Sequence, residues 1–284
     1  MSIIQYGAKR NALVVTKGHP FERDPFHAIF ESFADIASSA VEQPAASVFF
    51  DVEAARDIDA FVLYDMPGVE FRPGELPALH APSPDVRERF LALLEEGQGF
   101  VFLHHAIAGW PAWDEYAEII GGRFLYRPGD LRGRPHPDSG YRLDVKHTVT
   151  VVDPAHPVVA GLPASFEMED ELYLCPVFES DVVPLLRSNA SFDQAEFSSA
   201  AEAVRGRMFS SEGWGPETGS NLVGWVKHYG RSPIVYLAGG DGPSSYSDVN
   251  FRRLIENAIR WVATDEAHAW ARDRATRTNR AGRD

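Results

Sequence analysis

Short apolar runs alternate with stretches of helical period along the chain, and most runs stop at a polar or glycine-rich loop. Residues 12–16 form such a run and lead into Gly18-His19-Pro20, the pattern of a buried strand feeding a loop. Asp24-Pro25 reads as an N-cap followed by Pro at the first helical position, and Phe26, Ile29, Phe30, Phe33 and Ile36 keep helical spacing. Residues 47–50 and 60–64 are two further apolar runs, the second ending at Asp65. Ser83-Pro84 starts a helix whose Val86, Phe90, Leu93 and Leu94 share one face, closed by Gly97. Residues 99–103 are apolar throughout, which predicts a central strand covered on both faces.

His104 and His105 follow that strand, and a helix is predicted from about residue 112 to 120, stopped by Gly121-Gly122. Residues 123–146 are rich in Arg, Pro and Gly and read as an excursion over the surface. A strand is expected at 148–152, and the runs 222–226 and 234–238 flank Tyr229-Gly230-Arg231 as a C-terminal hairpin. Phe251, Leu254, Ile255, Ala258, Ile259 and Val262 give the cleanest helical stripe, whereas residues 264–284 show none and read as a fraying, polar helical tail. The expectation is one domain over residues 1–263 followed by that tail. Repeated strand–loop–helix units predict an α/β fold with a doubly wound, mostly parallel sheet and right-handed crossovers. Such sheets bind ligands at the carboxyl ends of their strands. That makes the polar stops, His19, Asp65, His104, His105 and Asp241, the informative residues.

Charge and cysteine content narrow the function. The 284 residues carry 27 Lys and Arg against 41 Asp and Glu, a net charge of −14, which excludes a generic nucleic-acid partner. Cys175 is the single cysteine, so no intramolecular disulfide or thiolate metal cluster can form. Residues 1–10 show no apolar leader core, and no apolar run approaches the ~18 residues of a membrane span. A cytoplasmic protein without a membrane partner is expected, and a homo-oligomer is compatible with it. The chain lacks G-x-G-x-x-G, the P-loop, H-E-x-x-H and G-x-S-x-G, which disfavours standard nucleotide binding and serine or zinc hydrolysis. Cys175 does not end a buried strand, so a structural thiol is preferred to a nucleophile.

His104 ends the most buried strand, where a following helix dipole would keep its imidazole neutral, as a base or metal ligand. A hydrogen-bonded structural histidine is the alternative. His105 points to the other side if the strand period persists, and is a substrate-binding candidate. Glu169-Asp170-Glu171 is either a solvated charge run or the source of one site carboxylate, Asp170 or Glu171, acting as acid or cation ligand. His19 sits in a constrained loop, and Asp241 is placed to bind sugar hydroxyls or to cap a turn. Trp110, Trp113, Trp214 and Tyr246 are the candidate stacking platforms of a non-catalytic binding module. Arg123, Arg127, Arg132, Arg134 and Arg142 form either a positive rim over the crevice or a solvated, paired loop. Convergence of His104, His19 and Glu171 with Asp241 would make a two-histidine, two-carboxylate site, suited to zinc or manganese or to acid–base work.

The run 97–104, then Trp113, Tyr116 and Gly121-Gly122-Arg123-Phe124, resembles the ThuA-like (trehalose utilization) family. So do His156-Pro157 with Gly161-Leu162, Asp170-Glu171-Leu172-Tyr173, Trp225 with Tyr229-Gly230, and residues 257–261; the match spans roughly residues 10 to 263. The resemblance implies a class I glutamine amidotransferase-like fold, with His104 at the elbow where amidotransferases carry cysteine. It also implies sugar catabolism, acting on a disaccharide or its keto form, so a small sugar is the expected partner. Gly240-Asp241 departs from the Gly-His of many relatives. If that histidine is a metal ligand elsewhere in the family, this chain uses Asp241 or no metal.

Overall fold

The computed structural model describes residues 7–281, with side chains through residue 277. The first six residues of the segment read as leaderless, and the last three of the tail, lie outside the described residues. One mixed sheet organises the chain. Five strands pair in parallel in the order Ser232–Leu237, Gly99–Leu103, Ala60–Asp65, Arg10–Lys17, Ile36–Glu42. Antiparallel pairing then extends the sheet from Ser232–Leu237 through Leu222–Tyr229, Val183–Ser188, Gly140–Val151 and Ser165–Leu174. This is the expected doubly wound α/β architecture.

Burial explains why the parallel half was visible in the sequence. Every residue of Ala60–Asp65 and Gly99–Leu103 is buried, because two layers of apolar side chains cover the two faces. Helix Val249–Val262 covers one face with Phe251, Leu254, Ile255, Ala258, Ile259 and Val262. Its start is held by Asp248, whose carboxylate accepts from the amides of Asn250 and Phe251. Helix Pro84–Glu96 covers the other face, capped by Ser83 and ended by Gly97 at φ 96°.

Several local expectations are corrected. The first helix is Arg23–Glu31, with Glu22 rather than Asp24 at its N-cap. Ile36 opens the parallel edge strand Ile36–Glu42 instead of continuing that helix. An edge strand has one neighbour, so Ser38, Ser39 and Ala40 stay exposed and no alternation marks it. The run 47–50 lies mostly in a 3-10 turn, Ala45–Phe49, which leaves Val48 exposed and buries Phe50. The excursion over residues 123–146 contains a small hairpin, Gly129–Leu131 with Arg134–His136, and the first half of the long strand Gly140–Val151. The C-terminal stretch does carry a stripe: helix Asp265–Ala281 buries Ala267 and Ala271, and Trp270 packs near Trp261. Among the described residues, no helix is long and apolar enough to cross a membrane.

Candidate active site

The parallel strands end at one edge, and the loops that leave them carry the chemistry. His104 directly follows the central strand at φ 45°, a left-handed conformation that costs a non-glycine residue on the order of 1–3 kcal/mol. Its backbone carbonyl accepts from the Tyr236 hydroxyl at 3.0 Å, and its side chain is wholly buried. Nδ1 stands 2.7 Å from the Ala238 carbonyl. A carbonyl can only accept, so Nδ1 carries a proton and Nε2 faces the site.

Three oxygens surround Nε2: the Tyr173 hydroxyl at 2.7 Å, Glu171 at 3.1 Å and Asp241 at 3.4 Å. Burial pushes the His104 imidazole down, but the Asp241 and Glu171 carboxylates outweigh it and hold the ring well above its ordinary value. The two carboxylates thus favour the protonated form of His104. That corrects the expectation of a neutral imidazole; the segment after the strand is a short 3-10 turn, His104–Ala108, and the two carboxylates decide the charge. Asp241 is itself opposed by burial, yet the His104 hydrogen bond and charge keep it below the ordinary carboxylate value.

Asp170 and Glu171 are neighbours on the strand Ser165–Leu174 and play opposite parts. Glu171 faces His104. The Asp170 carboxylate instead accepts from the amides of Gly240 at 2.7 Å, Asp241 at 3.0 Å and Glu171 at 2.9 Å. Its catalytic assignment gives way to a structural one, because both oxygens are already committed to holding the loop that carries Asp241. Burial pushes its pKa up to about 6, against the pull of His104 and the three amides. Gly239 allows this close approach, since a Cβ there would stand 2.9 Å from Asp170 Oδ2.

His19 lines a cleft of ≈ 470 Å³ together with Glu22, Asp144, Glu171, Asp241 and Ser244. Its Nδ1 lies 2.8 Å from the Pro20 carbonyl, which places the proton there and leaves Nε2 as a lone pair. Burial, then the charge on His104, hold His19 below its ordinary value. His105, expected to bind substrate, is buried instead: Nε2 donates to the Tyr64 carbonyl at 3.0 Å and the ring stacks on His19 at 4.5 Å. Trp110, half-buried, packs over Gly68.

The candidate metal set changes as well. His104, Glu171 and Asp241 present donor atoms within 4.8 Å of one another, and His19 is outside that set. A divalent cation fits there once Nε2 gives up its proton, because the bond from Nδ1 to Ala238 already fixes the required tautomer. Proton and cation are thus alternatives at one nitrogen.

Other expectations are overturned by burial and pairing. Trp113, Trp214 and Tyr246 lie in the interior and offer no platform to a sugar. Arg123 is buried and donates to the carbonyls of Trp110 and Trp113. Arg132 pairs with Glu118 and Asp181, and Arg142 with Glu196. Arg132 and Arg134 line a separate cavity of ≈ 580 Å³, so they build no rim over His104. Tyr173 is the site residue that sequence reasoning passed over. Its signal was its spacing, two positions from Glu171 on a strand and hence on the same face.

The family model described as trehalose utilisation, ThuA, matches residues 11–262. Among solved structures, a ThuA-like protein from Parabacteroides merdae is 16% identical with a TM-score of 0.60, over 90% of each chain. A ThuA-like protein from Bacteroides uniformis is 19% identical with a TM-score of 0.55, over 92% of this chain and 94% of the other. A cytoplasmic protein from Salmonella typhimurium, 10% identical over 89% of this chain and 99% of its own, has a TM-score of 0.53. At these identities the likeness is one of fold. No curated protein matches the chain.

Proposed function

Because the chain belongs to the ThuA family of trehalose utilisation, we propose that it is a sugar-catabolic enzyme acting on the keto form of a disaccharide by acid–base chemistry. The observation that carries this reading is geometric: His19, its Nε2 left free by the bond from Nδ1, lines the cleft with Glu171 and Asp241, the two carboxylates that also face His104 Nε2 from within; burial holds His19 below its ordinary value while those carboxylates hold His104 well above its own. Groups pushed apart in this way divide into base and acid.

A ketone on the sugar ring acidifies the neighbouring C–H. His19 Nε2 takes that proton, and the electron pair moves onto the keto oxygen. In a sugar whose glycosidic bond lies one carbon further on, collapse of the enolate expels the glycosidic oxygen, which takes up a proton. Asp241 is a third exposed and bonded to His104, so it serves as the outlet for the proton stored on the wholly buried imidazolium. Water then adds to the resulting enone and completes a net hydrolysis. His19 is thus the base in this scheme, and His104 keeps the acid side charged. A divalent cation held by His104, Glu171 and Asp241 would supply Lewis-acid polarisation of the keto oxygen.

Turnover of 3-keto-trehalose tests the reading. Wild type should release glucose and keto-glucose, and His104→Ala should lose at least about 100-fold in rate. Equal rates for the two proteins would discard it.

A further inference from the structure

Two strands beside the cleft carry a ladder of donors and acids that breaks at the site. Gly140–Val151 and Ser165–Leu174 pair antiparallel, so residues directly opposite share a face. On one face Thr148 donates to Glu167 at 2.6 Å, and Lys146 pairs with Glu169 at 3.6 Å. The next residues along that face are Asp144 and Glu171, two carboxylates where the ladder until then sets a donor against an acid. Like charges placed opposite one another destabilise a sheet, and local rules of this kind are broken chiefly at functional sites.

The break coincides with a β-bulge. Asp170 pairs with Val145 and Leu172 with Arg142, which leaves Leu143 and Asp144 together facing Glu171. Asp144 takes φ 52°, in the left-handed region, and Leu143, which regular alternation would bury beside Val145, is 38% exposed. The bulge re-aims the Asp144 carboxylate, which lines the His19 cleft with Glu22, Glu171 and Asp241. Its strand neighbours Arg142 and Lys146 are paired with Glu196 and Glu169. Among the described residues, the Asp144 carboxylate has no hydrogen-bond or ion-pair partner, and no described Lys or Arg lines the cleft.

We propose that Asp144 is a specificity-determining residue, accepting hydroxyl protons of the bound sugar and turning away anionic sugars. The inference rests on the reading that a sugar occupies the His19 cleft, and deepens it by naming the substrate class: neutral, polyhydroxylated and unphosphorylated. A free carboxylate can accept from two neighbouring hydroxyls at once. A phosphate brought to the same place meets the like charge of Asp144 and Glu22, while the buried His104 is already committed to Glu171 and Asp241. The reaction that supplies the substrate is then an oxidation of a neutral sugar, not a phosphorylation.

The test is calorimetry with trehalose and with trehalose 6-phosphate on wild type, Asp144→Gly and Asp144→Asn. Glycine adopts the left-handed conformation freely and asparagine tolerates it, so both variants keep the bulge. Wild type should bind trehalose at least about tenfold tighter than its phosphate. Asp144→Gly should bind trehalose about tenfold more weakly than wild type, and Asp144→Asn, which keeps one acceptor oxygen, should lose less than about threefold. In both variants the preference over the phosphate should shrink about threefold or more. A merely structural role for Asp144 would weaken the two ligands alike. Wild type that binds the phosphate as well as it binds trehalose, or binds neither, or variants that keep the full preference, would overturn the proposal. Turnover of the keto sugar is read separately: if it is absent while the charge preference responds to Asp144, the enzymatic reading fails and the specificity assignment stands.

Discussion

The imidazole of His104 donates from Nδ1 to the carbonyl of Ala238 across 2.7 Å, and that single bond governs the chemistry of the site. It fixes which nitrogen faces Glu171, Asp241 and Tyr173, so Nε2 either meets the two carboxylates with a proton or a cation or accepts from the Tyr173 hydroxyl. Ala238 follows the strand Ser232–Leu237, the parallel neighbour of the strand that delivers His104. The pairing of two strands thereby sets the tautomer of a site residue.

Under the proposed mechanism, the opposed histidines should give a bell-shaped pH profile. His19 must be neutral, so activity rises with pH through its value, which lies below the ordinary 6.5. His104 must be charged, so activity falls as pH rises through its own value, which lies well above 6.5. The plateau of kcat/KM should include pH 7. Removing the Asp241 charge with Asp241→Asn should move the alkaline limb towards neutrality, which a pH series of initial rates would detect.

Asp170→Asn should loosen the loop from Gly239 to Asp241. An amide side chain presents one acceptor where the carboxylate presents two, and turns its NH₂ towards backbone donors. The expected loss is about 1–3 kcal/mol of unfolding free energy, read by urea denaturation, together with a lower kcat because Asp241 is no longer held. Full stability with full activity would contradict the role given to Asp170.

Asp65 provides a stability test away from the cleft. Its carboxyl is fully buried, takes one hydrogen bond from Gln43 at 2.8 Å and leaves Oδ1 unpartnered. Burial pushes it up to about 7. A folded-state value above the unfolded ~3.9 means its contribution is complete below pH ~4 and is lost as pH rises through about 7. Wild type should therefore lose on the order of a few kcal/mol relative to Asp65→Asn between pH 5 and 8. Thermal melts of both proteins at the two values check the sign, and a wild type that holds or gains stability relative to Asp65→Asn as pH rises would contradict it.

Which features were legible in the sequence follows from burial. The strand Gly99–Leu103 and the helix Val249–Val262 bury so much of their surface that their residue patterns declare them. The edge strand Ile36–Glu42 exposes its middle and leaves no pattern. At the site, strand ends pointed to His104 and Asp241. Alternation along Ser165–Leu174 separates Glu171 from Asp170, because adjacent strand residues face opposite sides. The charge on His104 was not legible, because the carboxylates that set it come from distant parts of the chain and meet it only in the folded sheet. The burial of Trp113 and Trp214 was equally hidden: composition shows an aromatic, not which layer it fills.

Solvent exchange reports on proton abstraction at the sugar ring. Reaction with 3-keto-trehalose in D₂O, followed by mass spectrometry and proton NMR of the keto-glucose, reports whether the C–H beside the ketone is broken. Proton abstraction by His19 predicts one deuterium at that carbon with wild type, and loss of both turnover and labelling in a folded His19→Gln. Turnover that leaves the C–H unlabelled, or labelling that persists in His19→Gln, would contradict it.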